Sequence, residues 1–120
     1  MRLSHLALRV SDVERSASFY GEVLGLPELQ RSHDGQGRLR AVWLQAGPAV
    51  LMLERELRGR GPAAGSGHVL ALEIDDLAAW RARLSARGVE VDDATTFTLY
   101  LRDPDGHRLG LTTWRRELGA

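Results

Sequence analysis

The sequence predicts an α+β domain made of two pseudo-symmetric βαβββ modules. Three observations predict it. First, residues 4–25, SHLALRVSDVERSASFYGEVLG, and residues 67–88, GHVLALEIDDLAAWRARLSARG, repeat one pattern: a His, an alternating apolar run, acidic residues, a helical stripe and a closing Gly. Second, each copy is followed by short alternating runs joined by turn residues. These are Asp34-Gly35-Gln36-Gly37 in the first half and Asp103-Pro104-Asp105-Gly106 in the second. Third, a Gly/Pro-rich stretch, residues 57–67, divides the chain almost in half. The predicted modules are residues 1–56 and 68–116 of one domain, and 120 residues are enough to bury a core.

Each element has its own justification. Residues 2–10 alternate, with Leu6, Leu8 and Val10 on one face and His5, Ala7 and Arg9 on the other, as a half-buried strand requires. Ser11 or Asp12 caps a helix whose apolar stripe is Val13, Ala17, Tyr20 and Leu24, and Gly25 stops it. Residues 26–33 and 38–46 form a hairpin, and residues 50–56 add a strand after the Gly47-Pro48 turn. The second half follows the same order. Residues 68–74 form a strand, and Asp75 or Asp76 caps a helix with Leu77, Trp80 and Leu84 toward the core. Gly88 ends that helix, residues 89–91 open a short strand, and residues 97–102 and 107–114 form a hairpin.

Composition narrows the function classes. Formal net charge is zero, which disfavours nucleic acid and anionic membranes as partners. With no Cys there is no disulfide, thiolate chemistry or Cys-ligated zinc. All 16 basic residues are Arg, so lysine Schiff-base chemistry is excluded. The first residues, MRLSHLALRV, read as a strand rather than a signal peptide, and no apolar run has membrane-spanning length. The expected compartment is the cytoplasm.

Four stretches resemble the vicinal oxygen chelate superfamily, which holds glyoxalase I, fosfomycin- and bleomycin-resistance proteins and extradiol dioxygenases. They are His5 to Val10, Ser18-Phe19-Tyr20 to Leu24-Gly25-Leu26, the strand ending Ile74-Asp75-Asp76, and Asp103-Pro104-Asp105-Gly106-His107. The resemblance implies sheets curled into an open, barrel-like cleft, and pairing as a homodimer. For catalytic members it implies a divalent metal (Ni, Zn, Mn or Fe) held by His and Glu side chains.

The ligand positions are unevenly kept. His5 occupies the first-strand position, as a metal ligand or as a cleft histidine held by water or a neighbour. Six residues before Asp75 stands Val69, so His68 is one residue out of register and faces away unless a bulge turns it. The fourth-strand position falls near Met52, with Glu54 on the same face one step along. The last-strand carboxylate position is Gly110. A metal reading therefore rests on His5, Glu54 and His68.

Strand parity gives the rest of the cleft. Val42, Leu44, Leu51, Leu53, Leu99, Leu101, Leu109 and Leu111 face the helices. Trp43, Met52, Tyr100 and Trp114 face the other way, with Arg9, Glu54, Glu73, Arg102 and Arg108. Such a surface suits a planar or amphipathic organic ligand, with rings to bury it and Arg to fix an anionic group; a dimer interface is the competing use. The leading expectation is small-molecule binding without a cofactor, through Arg9, Trp43, Met52, Tyr100, Arg108 and Trp114. The alternative is a metal-dependent lyase, isomerase or thiol transferase, with a ring-cleaving dioxygenase third. Arg58 and Arg60, in the connecting stretch, read as a solvated loop or a lid over the ligand.

Overall fold

The computed structural model describes residues 1–57 and 67–115, so most of the connecting stretch, with Arg58 and Arg60, lies outside the described residues. The chain divides into two compact units, Met1–Gly61 and Pro62–Ala120. Each has the expected βαβββ order.

In the first unit β1 (His5–Arg9) leads through α1 (Val13–Ser18) to β2 (Glu28–His33), β3 (Leu39–Ala46) and β4 (Ala49–Glu54). The sheet order is β1-β4-β3-β2, with β1 parallel to β4 and the other pairs antiparallel. The helix packs on β3 and β4. The alternating code explains the packing, because Leu8, Val42, Leu44, Leu51 and Leu53 share the helix-facing side and are no more than 5% exposed. Burying one such Leu is worth roughly 1.5–3 kcal/mol. Leu6, expected with them, is 38% exposed near the start of β1.

The second unit repeats the plan. It holds β5 (Leu70–Glu73), α2 (Leu77–Ala86), β6 (Val91–Ala94), β7 (Thr98–Arg102) and β8 (Arg108–Thr112), in the order β5-β8-β7-β6. Ile74, Leu84, Leu99, Leu101, Leu109 and Leu111 form its core. Trp80, expected in that core, is only half-buried; its ring carries the Arg83 guanidinium 4.8 Å from the centroid. An indole with one face toward a cation stays at the rim.

The caps resolve to the second acidic residue in each copy. Asp12 accepts from Arg15 N at 3.1 Å and Asp76 from Ala79 N at 3.1 Å. The closing glycines have positive φ, 80° at Gly25 and 70° at Gly88, which only glycine adopts without strain. The copies differ between these markers. From Asp12 to Gly25 is thirteen positions and from Asp76 to Gly88 is twelve. The extra residue is absorbed by a π-helical turn, Phe19–Val23, in which Leu24 N donates to Phe19 O at 3.1 Å. From His5 to Asp12 is seven positions, but from His68 to Asp76 is eight. The two offsets cancel, so the copies look equal in length.

The turns are closed by carboxylates. Asp103, 5% exposed, accepts from Asp105 N at 2.9 Å and His107 N at 2.8 Å. Asp34 accepts from Gln36 N, Arg38 N and the Arg38 and Arg55 guanidinium groups. The Arg38 and Gln36 backbone N–H groups hold its carboxyl well below the usual aspartate range; burial opposes them, and the Arg55 and Arg38 side chains add to the lowering. No helix among the described residues is long and apolar enough to cross a membrane.

Candidate functional site

Each sheet has one face under its helix and one face free of it. The helix-free faces hold the side chains that chemistry can use.

In the first unit the register sets three neighbouring rows on that face. Trp43, Met52 and Ala7 form the central row. Gln45, Val50 and His5 lie on one side, and Ala41, Glu54 and Arg9 on the other. Trp43, Met52 and Ala7 are all half-buried. Arg9 turns its guanidinium to the Leu57 carbonyl at 2.9 Å. His5 is exposed, with Nδ1 3.0 Å from Ser4 Oγ. The Glu54 carboxylate makes no hydrogen bond or ion pair among the described residues.

In the second unit Ala71, Gly110 and Tyr100 form one row, and Glu73, Thr112 and Thr98 the next. A Cβ on Gly110 would stand 3.1 Å from Thr98 Cγ2, 3.4 Å from Tyr100 Cε1 and 3.6 Å from Val69 Cγ1. The glycine is a floor over which three neighbouring side chains close. Thr98 Oγ1 donates to Thr112 Oγ1 at 2.9 Å, which fixes the Thr98 rotamer. The Arg108 guanidinium lies 4.3 Å from the centre of the Tyr100 ring. The register shifts between Val91 and Asp93 of β6, which brings Asp93 opposite Tyr100 and 3.6 Å from Arg108 Nη2. Arg108 Nε is buried without a hydrogen-bond partner among the described residues. Arg102 donates instead to Asp92 at 3.3 Å and to the Gly106 carbonyl at 3.1 Å. Trp114 follows β8 and is 46% exposed.

The sequence-derived metal candidates do not come together within a unit. His5 is in register with Val50, and Glu54 lies four residues further along β4. Four residues of strand are about 13 Å, too far for two side chains standing perpendicular to a sheet to share one ion. In the second unit the Val69 side chain reaches the Gly110 floor. Alternation then sends His68 to the opposite side, where its ring centre lies 6.0 Å from that of His107. His107 has the parity of Leu109 and Leu111 and is 8% exposed. Among the described residues no group of three His, Asp or Glu side chains is arranged to hold a metal ion. Within either unit the described side chains do not make the donor set that the family resemblance implies.

Parity alone could not single out the Thr98–Thr112 pair or the Arg108–Tyr100 stack. The signal present was only that Thr98, Tyr100, Arg108, Gly110 and Thr112 alternate onto one face.

Comparisons with known proteins agree with this architecture. The family model described as the Glyoxalase/Bleomycin resistance protein/Dioxygenase superfamily matches residues 2–111. A lactoylglutathione lyase from Salmonella typhimurium is 31% identical, over 92% of this chain and 91% of its own. One from Neisseria meningitidis is also 31% identical, over 91% of this chain and 88% of its own. Among solved structures, TnmS3, an antibiotic binding protein from a Streptomyces species, has a TM-score of 0.75 at 28% identity and covers 93% of this chain and 94% of its own. The fosfomycin resistance protein FosX from Mesorhizobium loti shares the fold, with a TM-score of 0.77 at 21% identity over 98% of this chain and 95% of its own.

Proposed function

Because this chain belongs to the glyoxalase/bleomycin resistance protein/dioxygenase superfamily, we propose that it binds a small organic molecule on its helix-free sheet faces without the family's full set of metal ligands. The observation that carries this reading is the Gly110 floor. Where the resemblance calls for a ligating carboxylate, Thr98, Tyr100 and Val69 close over a residue with no side chain. What remains is aromatic and apolar surface with a few polar groups, which suits an organic ligand: Trp43 beside Met52, and Tyr100 beneath Arg108. Trp43, Met52, Tyr100 and Arg108 carry the binding, with Trp114 at the rim. The likeness to an antibiotic binding protein supports the same reading.

The second reading is a metal-dependent lyase, isomerase or thiol transferase. It is favoured by the relatives named lactoylglutathione lyase. A bound divalent ion would polarise a substrate oxygen. The positions of His5, Glu54 and His68 within their own units count against it.

Metal content separates the two. Tag-free protein is dialysed against trace nickel, zinc, manganese and iron without chelator, and the metal per subunit is measured. The proposal expects a small, non-integral content. A near-stoichiometric ion that His5→Ala removes would overturn it. With a ligand found by thermal-shift screening, Trp43→Ala should weaken binding by roughly 1–3 kcal/mol, while His5→Ala changes affinity only a few-fold.

A further inference from the structure

Three arginines on the helix-free faces were candidates to read charge on a ligand, and they are not equivalent. Arg9 is committed to the Leu57 carbonyl at 2.9 Å. Arg102 is committed to Asp92 and to the Gly106 carbonyl. Arg108 alone of the three combines a long contact to a carboxylate, 3.6 Å from Nη2 to Asp93, with a buried Nε that has no acceptor among the described residues. Nε and Nη2 form one edge of the guanidinium, the edge that meets a carboxylate with two parallel hydrogen bonds. On that edge Nη2 meets Asp93, and Nε, closed from solvent, has no acceptor among the described residues.

The surroundings favour a flat anion. The Arg108 Cζ lies over the Tyr100 ring, 4.3 Å from its centre, a contact that restrains the guanidinium before a ligand arrives. Tyr100 in turn lies across Gly110, with Val69 and the Thr98 methyl beside it, a flat apolar patch next to the cation. Asp93 is an internal competitor: it lies beside the bulge in the edge strand β6, its side chain is 62% exposed, Oδ1 accepts from Ala94 N at 2.8 Å, and only Oδ2 reaches Arg108, at 3.6 Å. We propose that Arg108, stacked on Tyr100, selects ligands that carry a carboxylate or phenolate on a planar ring, with Asp93 as the group the ligand displaces. This rests on the reading that the helix-free faces bind a small organic molecule.

The test uses 2-naphthoate and its uncharged counterpart 2-naphthamide. Each is titrated into the full-length protein while the arginine Nε–Hε and backbone amide resonances are followed by NMR. Arg108→Gln assigns the Arg108 signal. The expected result is a preference for naphthoate of about tenfold or more, with a shift of the Arg108 Nε–Hε signal. In Arg108→Gln the preference falls to near unity. Asp93→Asn, which leaves Arg108 in place, strengthens naphthoate binding and leaves naphthamide unchanged. Equal binding of both compounds with the Arg108 signal unmoved overturns the proposal and leaves the small-molecule reading standing. Binding of neither compound, with the Trp43 and Tyr100 amides unmoved, overturns both.

Discussion

Replacing Gly110 by Ala tests whether the place of the expected carboxylate is filled by its neighbours. In a strand interior Gly is about 0.5–1 kcal/mol less favourable than Ala, so the substitution would ordinarily stabilise. Here the new methyl meets Thr98 Cγ2 at 3.1 Å, closer than an ordinary contact, while Tyr100 and Val69 at 3.4 and 3.6 Å need not move. Thr98 can yield only by turning about χ1, which breaks its 2.9 Å hydrogen bond to Thr112 Oγ1. That bond is worth about 1 kcal/mol. The two effects oppose, and Gly110→Ala should fall between no change and about 0.5 kcal/mol of destabilisation. Thr98→Ser removes the methyl and keeps the hydroxyl. In that background Gly110→Ala should stabilise by about 0.5–1 kcal/mol. Urea denaturation of the four proteins should therefore give a coupling of about 1 kcal/mol. Equal stabilisation by Gly110→Ala in both backgrounds would refute the claim that Thr98 occupies this space.

Two further outcomes follow from the turns. Asp103→Ala leaves two backbone N–H groups of a buried turn without their acceptor and should destabilise by about 1–3 kcal/mol, read from the urea midpoint. Asp34 is held ionised by the fold, so its contribution is complete above the unfolded aspartate pKa of about 3.9 and is lost as pH falls below that toward its depressed folded value. The stability gap between wild type and Asp34→Asn should be constant from neutral pH to about pH 5 and narrow below about pH 4; a gap that widens in acid contradicts the assignment.

Much of the fold was legible because it rests on two periods. Alternation placed Leu44, Leu51, Leu53, Leu99 and Leu109 under the helices, where they are at most 2% exposed. The internal repeat gave the order of elements. What alternation does not carry is lateral position. It puts His5 and Glu54 on one face, but only the register opposes them to Val50 and Arg9 respectively and so separates them. It puts Arg9, Arg102 and Arg108 on helix-free faces, but which one is already engaged depends on Leu57, Asp92 and Asp93. The bulge in β6 left no mark in the pattern of Val91 to Ala94, since a run of two aspartates reads the same in either phase. Trp80 has helical spacing with Leu84, yet one turn separates a fully buried position from a rim position.

The cancelling offsets in the two copies have a genetic consequence. The segment leading through β5 carries one residue more than that through β1 between its His and its cap, and Val69 is the residue that occupies the surplus place beside Gly110. Removing the codon for Val69 in frame would leave the cap, the helix and the hairpin where they are. It would carry the His68 imidazole from the side of His107 to the Gly110 floor. A module with a histidine on its helix-free face and one without thus differ by one residue of strand length.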